Sequence, residues 1–157
     1  PTKLGQVLTG KKIVKAGNES IEKYGDAIPG LKGLKEKIET IWKQTSTYGP
    51  EGYIPGLDGR RVYTPQPYQT LNYLLQSCEA ITTKSAVAYQ IAKIREEGLD
   101  AQPRLYYHDE VAWSVAEKDA ERVLEILTAS FAEGPKQVNV NIMAGEGSIG
   151  DNYADVH

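Results

Sequence analysis

Residues 68–97 form a stretch of thirty positions without proline or glycine. Apolar side chains recur along it at the spacing of a helix, and Gly98, a residue type that often ends helices, follows directly. The apolar positions are Leu71, Leu74, Leu75, Cys78, Ile81, Ala88 and Ile91. The pattern predicts the longest helix of the chain, and any fold proposed for the chain must accommodate it.

Shorter elements precede this helix. Residues 31–44 carry apolar side chains at intervals of three or four among lysines and glutamates, which predicts an amphipathic helix. The first thirty residues predict short helices that break at residues 17–20 and end at Gly25. Prolines and glycines exclude a helix from residues 49–67, where the Asp-Gly pair at 58–59 indicates a β-hairpin turn.

A second β-hairpin is predicted after the long helix. Residues 104–115 contain two β-prone runs separated by a charged trio, His108, Asp109 and Glu110, which lies at the expected tip. Helical spacing returns over residues 117–131, and residues 138–142 alternate between apolar and polar as a half-buried strand does. The order of elements predicts an α+β fold with an antiparallel sheet.

The composition is that of a globular protein, because 40% of the residues are apolar and 25% are charged. The formal net charge is −3, so a nucleic acid would be bound through local phosphate-contacting positions and not through a positive field of the whole protein. Cys78 is the single cysteine, which favours a reducing compartment. No apolar run approaches the ~20 residues that cross a bilayer, so we expect no membrane partner and a cytoplasmic location.

The trio at residues 108–110 is the segment that most favours a chemical role. A hairpin tip holds two carboxylates in place while water or a hard cation still reaches them. Mg²⁺ prefers one or two carboxylates together with waters and substrate phosphates, so the trio predicts a magnesium ligand. A solvated, charged turn without a metal is the alternative reading, and charged turns are common.

Three polar residues, Tyr68, Asn72 and Gln76, recur at intervals of four along the start of the predicted long helix. Amide side chains both donate and accept hydrogen bonds, so this stripe suits contacts with acceptors that all base pairs share in the minor groove of a duplex. An ordinary solvated helix face is the alternative. Arg60 and Arg61 follow the first hairpin turn and are weaker candidates for phosphate contacts.

Several segments taken in order resemble the C-terminal part of family A DNA polymerases, and those of short-tailed bacteriophages in particular. They are GLDGRR at residues 56–61, YQTLNYLLQS at 68–77, YHDEV at 107–111 and GDNYADVH at 150–157. Residues 2–8 also resemble the stretch that follows the fingers helix carrying motif B. The resemblance therefore spans nearly the whole chain.

This resemblance implies a palm subdomain whose β-hairpin carries motif C and packs on long helices, and the activity of a DNA-directed DNA polymerase in DNA replication. Asp109 would be one of two aspartates that bind a catalytic pair of Mg²⁺ ions, with Glu110 beside it and His108 near the primer terminus. Asn72 and Gln76 match residues that contact the minor groove, and Tyr68 stands where the family has a basic or imidazole partner. His157 matches the C-terminal histidine of the family.

Two family segments have no counterpart in the chain: motif A, which carries the other aspartate, and motif B, which binds the incoming nucleotide. Either the polymerase is split, with a separate N-terminal chain that supplies both motifs, or the chain is a fragment of a longer protein. We expect the split. Residues 1–48 would then be a helical segment derived from the fingers and residues 49–157 the palm. The expected partners are that chain, primer-template DNA and dNTP, in the host cytoplasm if the protein is encoded by a phage.

Two other functions fit the same residues. A non-catalytic module could retain the palm fold and only bind DNA or a replication protein. A small metal-dependent nuclease could use Asp109 and Glu110, although such sites usually contain further carboxylates.

Overall fold

A computed structural model describes residue 7, residues 14–48 and residues 51–156. Two helices come first, α1 (Val14–Ala27) and α2 (Leu31–Thr45). The predicted breaks at residues 17–20 and at Gly25 are wrong, because α1 continues through both. A glycine inside a helix costs only about 1 kcal/mol, and at Gly25 an added Cβ would lie 3.2 Å from Cε of Lys32. Gly25 of α1 therefore leaves room for the side chain of Lys32, which comes from α2.

The helix predicted over residues 31–44 is confirmed as α2, and its C-terminal end is tied to the first hairpin. Nε1 of Trp42 donates a hydrogen bond to the carbonyl of Thr64 at 2.8 Å. The hydroxyl of Thr45 donates to the carbonyl of Tyr53 at 2.9 Å and accepts from its backbone N–H at 2.8 Å. At Gly52 an added Cβ would lie 2.6 Å from the carbonyl oxygen of Trp42, so the strand approaches the helix backbone closely.

The hairpin predicted around residues 58–59 is confirmed, with strands β1 (Gly52–Pro55) and β2 (Arg61–Thr64). Gly59 has φ 81°, which glycine adopts without steric cost. The carboxylate of Asp58 accepts hydrogen bonds from the backbone N–H of Arg60 at 3.1 Å and from its Nε at 2.7 Å. The turn is thus closed by its own side chains.

The long helix is also confirmed as α3 (Thr70–Glu97), and Gly98 follows it with φ 65°. The second hairpin consists of β3 (Ala101–Tyr107) and β4 (Glu110–Val115), paired antiparallel from Ala101↔Val115 to Tyr107↔Glu110. Its first strand begins three residues earlier than predicted. After the hairpin, a 3₁₀ turn leads into α4 (Ala120–Glu133), which matches the helix predicted over residues 117–131.

The strand predicted over residues 138–142 is wrong. The chain forms a 3₁₀ turn over Gly134–Val138, and Asn139 then adopts φ 61°, which turns the backbone out of an extended path. Ile142 is 91% exposed. A strand needs a partner for its hydrogen bonds, and each sheet in the described part of the chain pairs only two strands, β1 with β2 and β3 with β4.

The described residues divide into two units. One comprises the described residues through Ile54 together with Tyr63–Leu71, and the other comprises Pro55–Val62 and the described residues from Asn72 onward. The second unit has an apolar core centred on Ile94, Val123 and Ile126, against which Trp113, Val115 and Leu127 pack. The predicted boundary between residues 48 and 49 remains a prediction. The α+β fold with antiparallel hairpins and long helices is confirmed.

Gly134 provides a test of the packing between α3 and the segment after α4. A Cβ at this position would lie 2.5 Å from the carbonyl oxygen of Ser85 and 2.7 Å from Cα of Ala86, and backbone cannot move aside cheaply. We expect Gly134→Ala to lower the free energy of unfolding by about 1–3 kcal/mol. Urea denaturation followed by circular dichroism measures the change.

Gly33 is the matched control, because it lies inside α2 and an added Cβ would meet nothing within 4 Å. Gly33→Ala should raise the free energy of unfolding by about 0.5–1 kcal/mol. Equal effects of the two substitutions would contradict the close approach at Gly134.

Candidate functional site

The tip of the second hairpin is a two-residue turn. Tyr107 and Glu110 form the last pair of the ladder, and His108 and Asp109 connect them. His108 adopts φ 54°, a left-handed conformation in which histidine is enriched relative to most residues other than glycine. The predicted position of the charged trio at a hairpin turn is confirmed.

The two adjacent carboxylates have different surroundings. Asp109 is exposed, and among the described residues its side chain has no hydrogen-bond or salt-bridge partner. Glu110 is half-buried. The pKa of Tyr153 is raised above its usual value, first by the side chain of Glu110 as a hydrogen-bond partner and then by burial.

An open groove lies beside this turn, between α3 and β3. Its lining residues are Gln76, Glu79, Ala80, Lys84, Tyr106 and His108. Nδ1 of His108 lies 4.0 Å from Oε1 of Glu79. Burial and the negative charge of Glu79 raise the pKa of Tyr106. The groove therefore brings one predicted residue of the helix, Gln76, together with one of the trio, His108.

The other predicted residues lie in different settings. Asn72 is exposed on α3, one turn before Gln76, and does not line the groove. Tyr68 is 71% exposed but precedes the helix, in the 3₁₀ turn Pro67–Gln69. The expected single stripe on one helix is therefore wrong at its first member, because α3 begins only at Thr70.

Of the two arginines, Arg60 forms an ion pair with Asp58 at 2.6 Å inside the first hairpin turn. Arg61 is exposed at the start of β2.

His157 and all of residues 2–8 except Val7 lie outside the described residues. The helices of the described part include none that is long and apolar enough to cross a membrane.

The described residues contain no group of three or more His, Cys, Asp or Glu side chains that could hold a metal ion. The exposed carboxylate of Asp109 nevertheless suits Mg²⁺, which keeps several waters and uses few protein carboxylates.

Three groove residues, Glu79, Lys84 and Tyr106, were not predicted as site residues. Glu79 lies three positions after Gln76, so helical spacing alone places both on one face. Tyr153 carries no local signal that links it to Glu110, because 43 positions separate the two in the sequence.

Glu79 provides a test of the groove. Glu79→Gln removes the negative charge that contributes to the raised pKa of Tyr106, so this pKa should fall towards its usual value. NMR titration of ring-labelled tyrosine measures it, with Tyr106→Phe assigning the resonance. Glu96→Gln is the control on the same helix, where Glu96 pairs with Lys93, and an equal fall in that variant would contradict the groove.

No family model matches the chain. A DNA-directed DNA polymerase of Enterobacteria phage T3 is 26% identical over 171 aligned positions, which cover 99% of this chain and 24% of that protein. A DNA polymerase of Mycobacterium phage L5 is 27% identical over 98% of this chain and 27% of its own length.

Among solved structures, the fold matches the POL domain of Pol1 from M. smegmatis, in complex with DNA primer-template and dNTP. The TM-score is 0.68 with 19% identity, covering 90% of this chain and 25% of that one. The chain thus spans about a quarter of the length of the relatives it matches. These similarities confirm the predicted resemblance: the chain is related, over nearly its whole length, to the family A DNA polymerases of phages and bacteria.

Proposed function

We propose that this chain forms part of the palm and fingers of a template-directed DNA polymerase and that Asp109 is one of its catalytic metal ligands. Similarity to DNA polymerases over 98–99% of the chain supports the reaction class. The observation that carries the site is the exposed carboxylate of Asp109 at a hairpin turn, next to the groove that Gln76 and His108 line.

In this reaction the 3′-hydroxyl of the primer attacks the α-phosphate of a dNTP and pyrophosphate leaves. Bound Mg²⁺ ions would stabilise the charge that develops on the attacking and leaving oxygens. Asp109 contributes a negatively charged oxygen ligand from a fixed backbone turn. His108, its neighbour, lies on the groove side of that turn, where the primer terminus would approach.

One carboxylate does not complete a two-ion site, because two Mg²⁺ ions would need further carboxylate ligands. The 157 residues contain no segment that resembles motif A or motif B. We therefore propose that activity requires motifs A and B from outside these 157 residues, together with primer-template DNA, dNTP and Mg²⁺.

Contacts with the duplex are assigned to exposed polar residues. Asn72 and Gln76 are both exposed on α3, and amide groups can donate to the minor-groove acceptors that every base pair presents. Tyr68 and Arg61, also exposed, would meet the backbone. Arg60 is a candidate for the same kind of contact, and its guanidinium group pairs with Asp58.

Asp109→Asn tests the catalytic assignment. With a polypeptide that supplies motifs A and B, we expect primer extension in Mg²⁺ to fall on the order of 10³-fold, since a metal ligand contributes several kcal/mol to transition-state stabilisation. The measurement is the single-turnover rate of nucleotide addition at saturating DNA.

Asp100→Asn is the matched control, because Asp100 is exposed just before β3, at the opposite end of the same hairpin. It should retain extension within about twofold of the original chain. If Asp109→Asn also retains extension, or if the original chain adds nothing to its partner, the non-catalytic binding module becomes the better description.

Asn72→Ala and Gln76→Ala test the duplex contacts. Each substitution removes about one hydrogen bond, so we expect kcat/KM for correct nucleotide addition to fall roughly 5- to 10-fold per residue. The loss should be smaller when the primer end is mispaired, because a distorted minor groove does not offer the same acceptors. Gln102→Ala, an exposed amide on β3, is the control and should change neither rate.

A further inference from the structure

Lys84 lines the groove between α3 and β3, and its exposed side chain has no ionic partner among the described residues. Other cations of the same unit are paired within the fold. Arg122 lies 2.7 Å from Glu97, and Lys93 lies 2.7 Å from Glu96. The ammonium group of Lys84 is therefore available to bind an anion from outside the chain.

The groove contains one acidic side chain as well. Glu79 faces the turn, since its Oε1 lies 4.0 Å from Nδ1 of His108. Lys84 follows Glu79 by five residues, which is about 7.5 Å along the helix axis. Without Lys84, the charge on the α3 side of the groove would be that of Glu79, and a carboxylate repels phosphate. Lys84 therefore allows a polyanion to approach this side.

Lys84 also continues the row of residues that includes Gln76. Gln76, Ala80 and Lys84 recur at intervals of four on α3, and all three line the groove. Ala80 has the shortest of the three side chains, so it leaves space between the two longer ones. Gln76 and Lys84 are eight residues apart, about 12 Å along the helix axis.

This spacing suits a duplex whose minor groove meets Gln76. The minor groove of B-DNA is ~6 Å wide, so a helix that crosses it with Gln76 at the base edges has Lys84 beyond the groove wall. The sugar-phosphate backbone runs there, and a lysine ammonium binds phosphate as a compact point charge. His108 lines the same groove, and the proposed function puts the primer terminus beside it, which makes the primer the nearer strand.

We infer that Lys84 binds a phosphate of the primer strand close to the primer terminus. The contact holds the duplex in place for any sequence, while the amide of Gln76 meets the base edges. The net charge of the chain is −3, so local cations of this kind must supply the attraction to DNA. This inference rests on the proposed function and deepens it, since it assigns one strand of the substrate to one side of the groove.

Lys84→Gln tests the ionic contact through its salt dependence. The chain is complemented with a polypeptide that supplies motifs A and B, and fluorescence anisotropy of labelled primer-template DNA gives Kd between about 50 and 200 mM KCl. We expect binding to weaken roughly 5-fold at the lowest salt, and the slope of log Kd against log salt to fall by about 1. Lys84→Arg should keep the original slope, because it preserves the charge.

Lys93→Gln is the matched control, because Lys93 lies on the same helix, pairs with Glu96 and lines the other groove, between α3 and α4. It should leave the salt slope unchanged. The single-turnover rate at saturating DNA should stay within about twofold in the Lys84 variants, since the side chain touches no reacting atom.

An unchanged slope in Lys84→Gln, or an equal reduction in Lys93→Gln, would overturn the inference and leave the proposed function intact if the complemented original chain extends primers. Absence of extension and of DNA binding by that original complex would instead overturn the proposed function, and the phosphate contact with it.

Primers and templates that each carry a single neutral methylphosphonate linkage identify the strand. At the contacted linkage near the primer terminus, the modification should weaken binding of the original chain roughly 5-fold. Lys84→Gln should cause no further loss with that primer, because the two changes remove the same contact. If the effect of Lys84→Gln disappears only with a modified template, or with no modified strand, the assignment to the primer is overturned.

Discussion

The buried amide of Gln90 is the interaction on which the second unit depends. Gln90 is 0% exposed on α3; its Nε2 donates to the hydroxyl of Ser130 on α4 at 2.8 Å, and its Oε1 accepts from the indole of Trp113 on β4 at 3.1 Å. A buried polar group left without a partner costs about 1–3 kcal/mol. Both hydrogen bonds of Gln90 therefore favour one fixed arrangement of α3, α4 and the second hairpin. Trp113 lies three residues after Glu110, the turn-side end of β4, and the turn is positioned with it.

One helix therefore controls both ends of the hairpin. Gln90 anchors its base, and fourteen residues earlier, about 21 Å along the axis, Gln76 and Glu79 line the groove at its tip. The two acids of the turn differ in exposure, since Glu110 is half-buried and Asp109 is exposed.

Local signals were sufficient for much of the fold. The long helix, the Asp-Gly turn and the trio at a hairpin tip could be predicted because each depends on residues close in sequence. Residues 138–142 alternate between apolar and polar as a strand does, but no described strand pairs with them. The break predicted at Gly25 did not take into account the side chain of Lys32, which packs there. For the candidate site, the sequence predicted Gln76 and His108 separately, whereas the groove that both line depends on tertiary packing between α3 and β3 that no local pattern reports.

The two tryptophans of the chain fall one in each unit, Trp42 in the first and Trp113 in the second. Each indole N–H donates to a single defined acceptor, the carbonyl of Thr64 for Trp42 and the amide of Gln90 for Trp113. The molecule thus carries two intrinsic fluorophores whose emission shifts to longer wavelength when water replaces those acceptors. A variant in which one tryptophan is replaced by phenylalanine keeps the other as its single tryptophan. The emission of that tryptophan reports the unfolding of its own unit without an added dye.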